Sequence, residues 1–458
     1  MTSPPNISLL SAKEKDALIA QLLARLEALE RENATLKAEN AALRGKLDLP
    51  PKTPDNSSTP PAAGHKSNGE TTRKPKSKPH AGAHRPLHPN PTRHRTVLAS
   101  HCQHCRTDVA GVAQRPVRSY DRIEIPEIKP DVTRVILHGG ACPCCSKTFV
   151  AAAPAGLEAG SPFGPNLRAF AIYLRFTQAI SFERLARLFS DLLGLDISEG
   201  ALVNMLDDSK LAFARQASLI RNKLLSGTIL QSDETSARVG KTTWWTWVFH
   251  HGDSACFVIH RNRSRAVVEE FLGEYRPDFW VSDRLAAQMN WAKVEHQVCL
   301  AHLIRDVQYA IDAGDAAFAP GVHALLKDAC AIARRRENLA DATLRSYAYK
   351  LHARLDALLK IAPQGTQGEK LKRMIKKYRR HFFVFLQNRA IPPTNNGSEQ
   401  AIRPCVIFRK VTNCFRSEWA AKLYADMRSV LETARRRAIG ALQAIRLTLN
   451  GQPLPETA

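Results

Sequence analysis

The sequence predicts a multidomain α+β protein. Its expected parts are an N-terminal parallel coiled coil, a zinc ribbon-like module, a helical segment and a strand-rich core with a helical insertion. Three observations predict this organisation. The length of 458 residues exceeds that of one ordinary core. A leucine heptad begins the chain, and two Cys-x-x-Cys pairs lie between a basic, proline-rich stretch and the helical and strand-like segments.

Charge indicates the kind of partner. The chain has 66 Lys and Arg against 43 Asp and Glu, a net charge of +23. Such an excess favours a polyanion such as double-stranded DNA, because bound Lys and Arg release condensed counterions; a merely basic soluble protein is the alternative. Lys13 to Asp16 interrupt any apolar leader, and no run of about 18 apolar residues follows, so we expect a cytoplasmic protein without membrane spans.

Residues 12–48 carry the heptad pattern of a leucine zipper. The two seam positions are filled by Leu22, Leu29, Leu36 and Leu43, and by Ile19, Leu26, Asn33, Asn40 and Leu47. Asn in a seam lowers stability but favours a two-stranded register. We therefore expect a parallel homodimer, with one amphipathic helix packed on its own protein as the alternative.

Residues 50–95 have the composition of a linker. They contain ten prolines and a basic run from Arg73 to Arg95, which disfavours a packed core. The stretch is either an arm that binds DNA phosphates or a solvated tether.

Residues 96–150 contain two knuckles, Cys102-Gln-His-Cys105 and Cys142-Pro-Cys-Cys145, separated by strand-like stretches such as Thr133–Leu137. Two such pairs can present four thiolates tetrahedrally to one structural Zn²⁺. We expect Cys102, Cys105, Cys142 and Cys145 to be the ligands. Cys144 or His104 is an alternative ligand, and a pair of redox-active thiols is the alternative chemistry.

Residues 160–225 are predicted to be helical. Ser181 caps a helix that runs through Leu193 to Gly194, and Ser198 caps another that starts at Glu199. A helix, a short turn and a helix are typical of a DNA-binding helix-turn-helix, but plain packing produces the same pattern.

Residues 226–430 change to strand periodicity. The predicted order is three strands, a helix and two strand–helix units, which is the order of the RNase H-like fold, and helices are predicted to interrupt it at about 315–390. The five strands are predicted at Thr228–Ser232, Trp244–His250, Ala255–His260, Asp278–Ser282 and His296–Leu300. In that topology the first and fourth strands are neighbours, so Asp233 and Asp283, at or just past their ends, should meet. Residues 431–458 are predicted to form a C-terminal helix and tail.

Two adjacent carboxylates repel each other unless a cation neutralises them. Mg²⁺ or Mn²⁺ with oxygen ligands serves this purpose and calls for a third acid. Glu399 is the best candidate, in the first turn of a short helix capped by Asn396 or Ser398. Glu337 and Glu369 are the alternative third acids.

Basic residues on the same helix suit DNA phosphates. Arg403 lies one turn after Glu399, and Pro404 should kink or stop the helix. Arg403, Arg409 and Lys410 are candidate phosphate ligands, with solvated surface charge as the alternative. Cys299 and His302 resemble a metal pair, but their place at a strand-to-helix junction favours packing around the site.

Together these motifs resemble the IS66 family of bacterial insertion-sequence transposases. The matching strings are Ser-Asp233-Glu-Thr before a Trp-rich strand, Val-Ser-Asp283, His296 to Asp306, Thr394-Asn-Asn-Gly-Ser-Glu399-Gln-Ala-Ile-Arg403-Pro, Arg409-Lys410 and Phe415-Arg-Ser417. The upstream zipper, zinc-binding module and helical segment also fit the family layout. The resemblance implies that Asp233, Asp283 and Glu399 are the DDE catalytic acids.

The resemblance also implies a reaction and partners. Catalytic Mg²⁺ or Mn²⁺ would support cleavage at the element's terminal repeats and strand transfer into target DNA. Small accessory proteins encoded beside the transposase are implied, as is a bacterial, nucleoid-associated location when DNA is bound. A non-catalytic, zinc-containing DNA-binding regulator derived from a transposase is the main alternative. A structure-selective nuclease on the same fold is a further one.

Overall fold

The computed structural model describes residues 11–47, 49–57 and 85–456. The chain divides into two compact units. The larger one consists of Met1–His65, Ser161–Phe182 and Gly200–Ala458, and the smaller one of Lys66–Gly160 and Glu183–Glu199. The predicted sheet and its acids all belong to the larger unit.

The heptad stretch is helical. Helix α1 spans Ala12–Leu47, and the seam residues Leu22, Leu29 and Leu36 are each more than half exposed. An apolar seam left exposed on a single helix is what a second copy would cover. Pairing into a coiled coil stays a prediction, and the side chains of Leu43 and Leu47 lie outside the described part.

The first residues of the predicted linker pack against the larger unit. Asn56 is buried; its Oδ1 accepts a hydrogen bond from Thr53 N at 2.7 Å. Its Nδ2 donates to Pro51 O at 3.2 Å and to Asp312 Oδ2 at 2.9 Å. Residues 50–57 thus differ from the unpacked linker that we predict, because one buried amide ties them to the helix that carries Asp312. Residues 58–84 of that linker lie outside the described residues.

The described part of the smaller unit contains one short hairpin. Strands β1 (Gly139–Ala141) and β2 (Thr148–Val150) pair antiparallel around the second cysteine knuckle. The strand predicted at Thr133–Leu137 is wrong: that stretch is irregular and exposed, because no neighbouring segment supplies a ladder. Helix α3 (Phe182–Leu193) also belongs mainly to this unit and ends at Gly194, whose φ of +61° a glycine adopts without strain.

Three further helices of the predicted helical segment lie in the larger unit. They are α2 (Pro165–Phe176), α4 (Glu199–Asp208) and α5 (Lys210–Leu224). The predicted starts after Ser181 and Ser198 are confirmed, because α3 begins at Phe182 and α4 at Glu199. A DNA-binding role for this segment stays a prediction.

A five-stranded mixed sheet forms the centre of the larger unit. Its strands and their helices are β3 (Ile229–Val239), β4 (Thr242–His251), β5 (Ser254–His260), α6 (Arg265–Leu272), β6 (Phe279–Ser282), β7 (Glu295–Val298) and α7 (Leu300–Asp312). The strand order across the sheet is β5-β4-β3-β6-β7. The β3–β4 and β4–β5 pairs are antiparallel, and the β3–β6 and β6–β7 pairs are parallel. The predicted order, with the first strand beside the fourth, is therefore confirmed.

Strand β3 is longer than predicted. It continues past Ser232 to Val239, because β4 pairs with it along the whole stretch, and Asp233 lies opposite Val248. Its pairing with β6, by contrast, ends at Gln231 and Val281. Asp233 is thus inside the strand but just beyond its parallel partner, where a carboxylate has room.

A C-terminal helix covers one edge of the sheet. Helix α12 (Glu418–Arg436) lies along the edge strand β5, where Ser429 Oγ accepts from Phe257 N at 2.8 Å and Thr433 Oγ1 from Ala255 N at 3.1 Å. These side chains satisfy backbone groups that an open edge would expose. The helix runs through residue 430, where the sequence places the end of the core, and α13 (Ala441–Leu449) follows it.

The insertion predicted at about 315–390 is helical. It comprises α8 (Ala319–Arg335), α9 (Asp341–Leu358) and α10 (Gly365–Tyr378), which share a core with α7 and the β7 side of the sheet. Across the described ranges, no helix is long and apolar enough to cross a membrane.

Helix α11 (Asn396–Thr412) contains Pro404 without ending there. Of the two effects expected of Pro404, a stop is wrong, since eight more residues follow it in helical conformation. A kink stays a prediction. An internal proline costs about 3 kcal/mol. Burial of Cys405 and Phe408 after it offsets that cost.

Candidate active site

The first two predicted acids lie at the same level of adjacent parallel strands. In the β3–β6 register, Ile229 pairs with Phe279 and Gln231 with Val281, a constant difference of 50 residues. Asp233 and Asp283 keep this difference two residues beyond the last pair. Asp283 directly follows β6, and its Oδ1 accepts a hydrogen bond from Leu285 N at 2.8 Å. The register therefore brings both carboxylates to one edge of the sheet.

The third acid, Glu399, lies in the first turn of α11. Its Oε1 is 3.7 Å from Nδ1 of His302 and 3.6 Å from Nη2 of Arg305, both on α7. The charge of Glu399 also acts on Asp233, together with those of Asp283 and Glu234. Glu399 thus belongs to the same cluster as the two aspartates.

The alternative third acids are engaged or exposed elsewhere. Glu337 is 68% exposed and pairs with its neighbour Arg336 at 3.2 Å. Glu369 is exposed on α10. Glu399 is among the main charges that raise the pKa of Asp233, and neither alternative is, so Glu399 is the better-supported candidate.

Asn395 holds the start of α11 against β3. The side chain is fully buried, and its Nδ2 donates to Ser232 O at 2.8 Å, one residue before Asp233. Its backbone N donates to Cys299 Sγ at 3.1 Å. The predicted caps at Asn396 and Ser398 are wrong, because Asn395 is the N-cap residue, and its side chain makes no cap hydrogen bond to the helix backbone.

A second contact fixes the same turn. Ser398 Oγ donates to Asn395 Oδ1 at 2.6 Å, and His250 Nε2 lies 2.8 Å from Ser398 Oγ. All three side chains are buried. Between them is Gly397, where an added Cβ would be 3.1 Å from Cε1 of His250, so the close approach of helix and sheet favours glycine. Glu399 is therefore positioned by a buried hydrogen-bonded network that reaches β3 and β4.

Alternation along β3 places its side chains on two faces. An added Cβ at Gly397 would be 3.8 Å from Gln231 Oε1, so Gln231 faces α11 and Asp233, two residues on, shares that face. Ser232 and Glu234 face the other way, and both hydrogen-bond to the fully buried Gln288. Asp233 and Glu399 are thus on one face of the sheet, and Glu234 is on the other.

The cluster is electrostatically strained. Burial raises the pKa of Asp233 well above its usual range, and the charges of Glu234, Asp283 and Glu399 raise it further. Burial, with a contribution from Asp283, raises the pKa of Glu234 to about 7, although Arg263 opposes that shift. Acids that resist ionisation together are what a bound cation would relieve.

The acidic side chains have the right chemistry for a divalent cation, but they do not yet form a complete set of ligands around one point. Across residues 11–47, 49–57 and 85–456, no three His, Cys, Asp or Glu side chains are already spaced to hold a metal. Two features nevertheless suit a cation. Oε1 of Glu399 is buried without a hydrogen bond, and Asp233 is a buried carboxylate among other acids. Oxygen donors of this kind are the ligands that Mg²⁺ and Mn²⁺ prefer.

Cys299 and His302 lie next to the acid cluster. Cys299 is fully buried and accepts the hydrogen bond of Asn395 N, so its place is one of packing. Burial and the charge of Arg305 lower the pKa of His302, although Glu399 opposes that shift. These contacts agree with the packing role that we predict for both residues.

The two cysteine knuckles have the same backbone geometry. Arg106 N donates to Cys102 O at 2.9 Å and Ser146 N to Cys142 O at 2.8 Å. Both Arg106 and Ser146 have a φ near +60°. Each turn thus curls its two cysteines toward a common point, as a metal knuckle does. None of the four knuckle cysteines, nor Cys144, forms a disulfide bond.

Hydrogen bonds favour thiolates in both knuckles. The hydroxyl and backbone of Thr107 lower the pKa of Cys105 to about 7. The backbone N–H groups of Cys145 and Cys144 lower the pKa of Cys142. A zinc ligand must be a thiolate. The described cysteines are not close enough together to form one metal-binding group, however. The zinc site therefore stays a prediction.

The basic residues predicted on α11 differ in their surroundings. Arg403 and Lys410 are exposed. Arg409 is partly buried, and its Nη1 donates to the backbone oxygen and, at 2.5 Å, to the hydroxyl of Ser236 on β3. Arg409 therefore has a partner inside the protein, whereas the other two present their charge to solvent.

Sequence reasoning missed most of the residues that position the acids. Asn395 and His250 link α11 to the sheet, and Glu234 lies buried beside the site. Ser398 was singled out only as a possible helix cap, whereas its hydroxyl contacts Asn395 and His250. A usable signal was present in the string Asn395-Asn396-Gly397-Ser398, because so many small polar residues before a helix that must pack on the core indicate specific contacts. For Glu234, its place next to Asp233 in a buried strand was the only clue.

The sheet order and the acids at the ends of its strands are compatible with the catalytic core of a DDE transposase. The model of the transposase IS66 family matches residues 160–423, from just before α2 into α12. The chain belongs to the IS66 family of transposases. No curated protein matches it significantly.

Proposed function

We propose that this chain is an active transposase that cuts DNA at the ends of an insertion sequence and joins the freed ends to target DNA. The observation that carries the proposal is the approach of Asp233, Asp283 and Glu399 at one sheet edge, in a chain of the IS66 family. An ordinary structural role does not require that a buried carboxylate lie close to other acids that repel it.

The three acids would hold Mg²⁺ or Mn²⁺. Bound divalent cations supply activation of the attacking oxygen and stabilisation of the leaving oxygen at a scissile phosphate. Asp233 would be a central ligand of the bound cation, because its carboxylate is buried and is acted on by the charges of both other acids. Asp283 is held by Leu285 N, and the buried network at Asn395 holds the turn that carries Glu399.

Cationic side chains would bind the DNA backbone. Arg403 and Lys410 are exposed on α11, the helix that carries Glu399, and suit phosphate contacts. The same role for Arg409 requires it to exchange its contacts with Ser236, so a supporting role between α11 and β3 fits its surroundings better.

The remaining modules would organise the complex. We propose that the exposed leucines of α1 pair two copies in parallel and that the knuckles at Cys102, Cys105, Cys142 and Cys145 bind a structural Zn²⁺. We propose small accessory proteins of the same element as further partners. We also propose that the protein is located on the nucleoid of a bacterial cell when it binds DNA.

The zipper is tested by sedimentation analysis. Leu29→Lys should convert a dimer to a monomer, whereas Ala28→Lys, outside the seam, should not.

The reaction is tested with end-labelled DNA carrying the element's terminal repeats, Mn²⁺ and target DNA. Intact protein should yield cleaved and joined products. Glu399→Ala should abolish both, and Glu369→Ala, which removes an exposed acid from α10, should leave both unchanged.

Other outcomes separate the competing functions. Cleavage without joining would indicate a nuclease on the same fold. Specific DNA binding without metal-dependent cleavage, even with accessory proteins, would indicate a DNA-binding regulator. Loss of both products with Glu369→Ala but not with Glu399→Ala would overturn the assignment of the third acid.

A further inference from the structure

A row of arginines beside the acid cluster is fixed on tryptophans. Arg261 and Arg263 lie between the end of β5 at His260 and α6, and Arg265 is the first residue of α6. The guanidinium carbons of these arginines lie 5.2 Å from the ring of Trp244, 4.6 Å from that of Trp245 and 3.9 Å from that of Trp291, respectively. Stacking on an aromatic face orients a guanidinium and costs it little hydration, since this group is weakly hydrated.

The row lies at the sheet edge that carries the acids. Strand β5 runs in the direction of β3, because both are antiparallel to β4. Through β4, His260 is level with Trp245 and Ser236, three residues beyond Asp233. The residues after His260 therefore emerge at the same edge as Asp233 and Asp283.

Arg263 is joined to the strand of the first acid by a buried carboxylate. Its Nε donates to Glu234 Oε1 at 2.9 Å and its Nη2 to the same oxygen at 2.5 Å. The side chain of Glu234 is 1% exposed, whereas that of Arg263 is 42% exposed. A surface arginine is thus tied to an acid beneath it rather than to another surface side chain.

Glu234 is itself held by a chain of buried contacts. Its Oε2 accepts from Nε2 of Gln288, whose Oε1 accepts from Ser232 Oγ at 2.7 Å. The indole Nε1 of Trp280 donates to that same hydroxyl at 2.8 Å. These contacts fix the orientation of the Glu234 carboxylate, and its hydrogen bonds with Arg263 in turn fix the orientation of the guanidinium.

Arg263 binds Glu234 through one edge of its guanidinium, and the other edge is available to bind a ligand. An arginine has five N–H donors in a planar fork, and Glu234 takes one from Nε and one from Nη2. In the part of the chain that the structure describes, Nη1 makes no hydrogen bond. The end formed by Nη1 and the second hydrogen of Nη2 can chelate two phosphate oxygens.

We propose that Arg263 binds a backbone phosphate of the DNA substrate beside the cleavage site, and that Glu234 and Trp245 are positioning residues that aim its guanidinium. The inference rests on the proposed function, since it names the substrate contact of the same site. It also gives Glu234 a role separate from metal binding, because Glu234 faces away from Asp233 and is occupied by Arg263 and Gln288.

Binding to a duplex with the element's terminal repeat is measured without divalent metal, at several salt concentrations. Arg263→Ala should weaken binding roughly tenfold, as loss of a hydrogen bond to a charged group does. The slope of log Kd against log salt should fall by about 0.9, the value for one phosphate contact. Arg263→Lys keeps the charge but cannot serve both carboxylate and phosphate, so its binding should stay well below that of the intact protein. Arg354→Ala, which removes an arginine paired with Asp328 at 2.6 Å on α9 and α8, is the matched control and should change neither quantity.

Glu234→Gln gives the sharpest result. Removing a negative charge from a protein ordinarily strengthens its binding to DNA. We expect weaker binding instead, because the guanidinium loses its orientation. In the double variant with Arg263→Ala, the loss should equal that of Arg263→Ala alone, since Glu234 acts through Arg263.

Each outcome decides the question. Equal losses with Arg263→Ala and Arg354→Ala would show a bulk charge effect and overturn the inference, as would stronger binding by Glu234→Gln or unchanged binding by Arg263→Ala. Matching thermal unfolding of the variants and the intact protein excludes misfolding; if Arg263→Ala is unstable, Arg263→Lys carries the test. If the intact protein cuts and joins DNA while the Arg263 variants bind as it does, only this inference fails. If the intact protein does neither, the proposed function fails.

Discussion

Replacing Asn395 by alanine should disable the site without touching an acid. The change removes the hydrogen bond to Ser232 O at 2.8 Å and the one from Ser398 Oγ at 2.6 Å, both buried. Each bond contributes about 1 kcal/mol net, and buried groups left unpaired add about 1–3 kcal/mol. We therefore expect the free energy of unfolding to fall by roughly 3–5 kcal/mol, a large share of a typical total.

The effect on cleavage should be larger than the effect on folding. Asn395 joins the first turn of α11 to the residue before Asp233, so its loss frees Glu399 to move relative to the aspartates. A displacement of about 1 Å in a catalytic group costs on the order of 100-fold in rate. Urea unfolding and single-turnover cleavage of labelled DNA ends measure the two effects under conditions where the variant stays folded.

Asn388→Ala is the matched control for Asn395→Ala. Its Oδ1 also accepts a backbone hydrogen bond, from Ala390 N at 3.0 Å, but in an exposed turn. It should lose less than about 1 kcal/mol and cleave normally, since an exposed group can bond to water instead. If Asn395→Ala cleaved as fast as the intact protein and unfolded at the same urea concentration, the network would have no part in positioning Glu399.

Three further predictions address other parts of the molecule. Gly397→Ala should slow cleavage and lower stability by about 1–3 kcal/mol, as overpacking does, because its Cβ would be 3.1 Å from His250; normal values for both would show that this turn tolerates a side chain. Metal analysis of the purified protein should give one zinc per chain, lost in Cys142→Ala and retained in Cys144→Ala; equal zinc in both variants would exclude the predicted ligand set. Burial lowers the pKa of His296 to about 3 from the usual 6.5, so the unfolded chain binds a proton that the folded one does not, and the free energy of unfolding should fall by about 1.4 kcal/mol per pH unit from this residue as the pH drops between these values. Urea titrations at pH 6, 5 and 4 should show a shallower fall for His296→Gln, and an identical fall would contradict that protonation.

Much of the core could be predicted from local pattern alone. Period-two runs of apolar residues identify strands, and their order along the chain restricts the topology to a few choices. Adjacency of β3 and β6 followed from that order, and with it the meeting of Asp233 and Asp283. The helical character of the insertion was also visible in the sequence, although its three separate helices were not.

Contacts between distant residues were not visible in the same way. The hydrogen bond from Asn395 to Ser232 joins positions 163 residues apart, and no local signal pairs one asparagine with one carbonyl. The bond between Arg263 and Glu234 spans only 29 residues, but it depends on the β3–β4–β5 register. Such contacts determine where the acids point, so the sequence predicts which residues form the site better than how they are held.

Local rules also failed where packing overrides them. Proline usually ends a helix, yet α11 continues beyond Pro404 because Cys405 and Phe408 are buried after it. A proline-rich stretch usually stays solvated, yet Asn56 is buried against α7 through Asp312. In both places a tertiary contact outweighs a propensity worth a few kcal/mol.

The central claim is that Asp233, Asp283 and Glu399 ligate the catalytic metal, and a thiol substitution tests it most directly. Mg²⁺ binds sulfur poorly, whereas Mn²⁺ accepts it better. Cleavage of labelled element ends by Asp283→Cys should therefore be lost in Mg²⁺ and partly restored in Mn²⁺, while Asp283→Ala should be inactive in both. Equal activity of Asp283→Cys in the two metals, or recovery of Asp283→Ala in Mn²⁺, would contradict direct ligation by this acid and the site built around it.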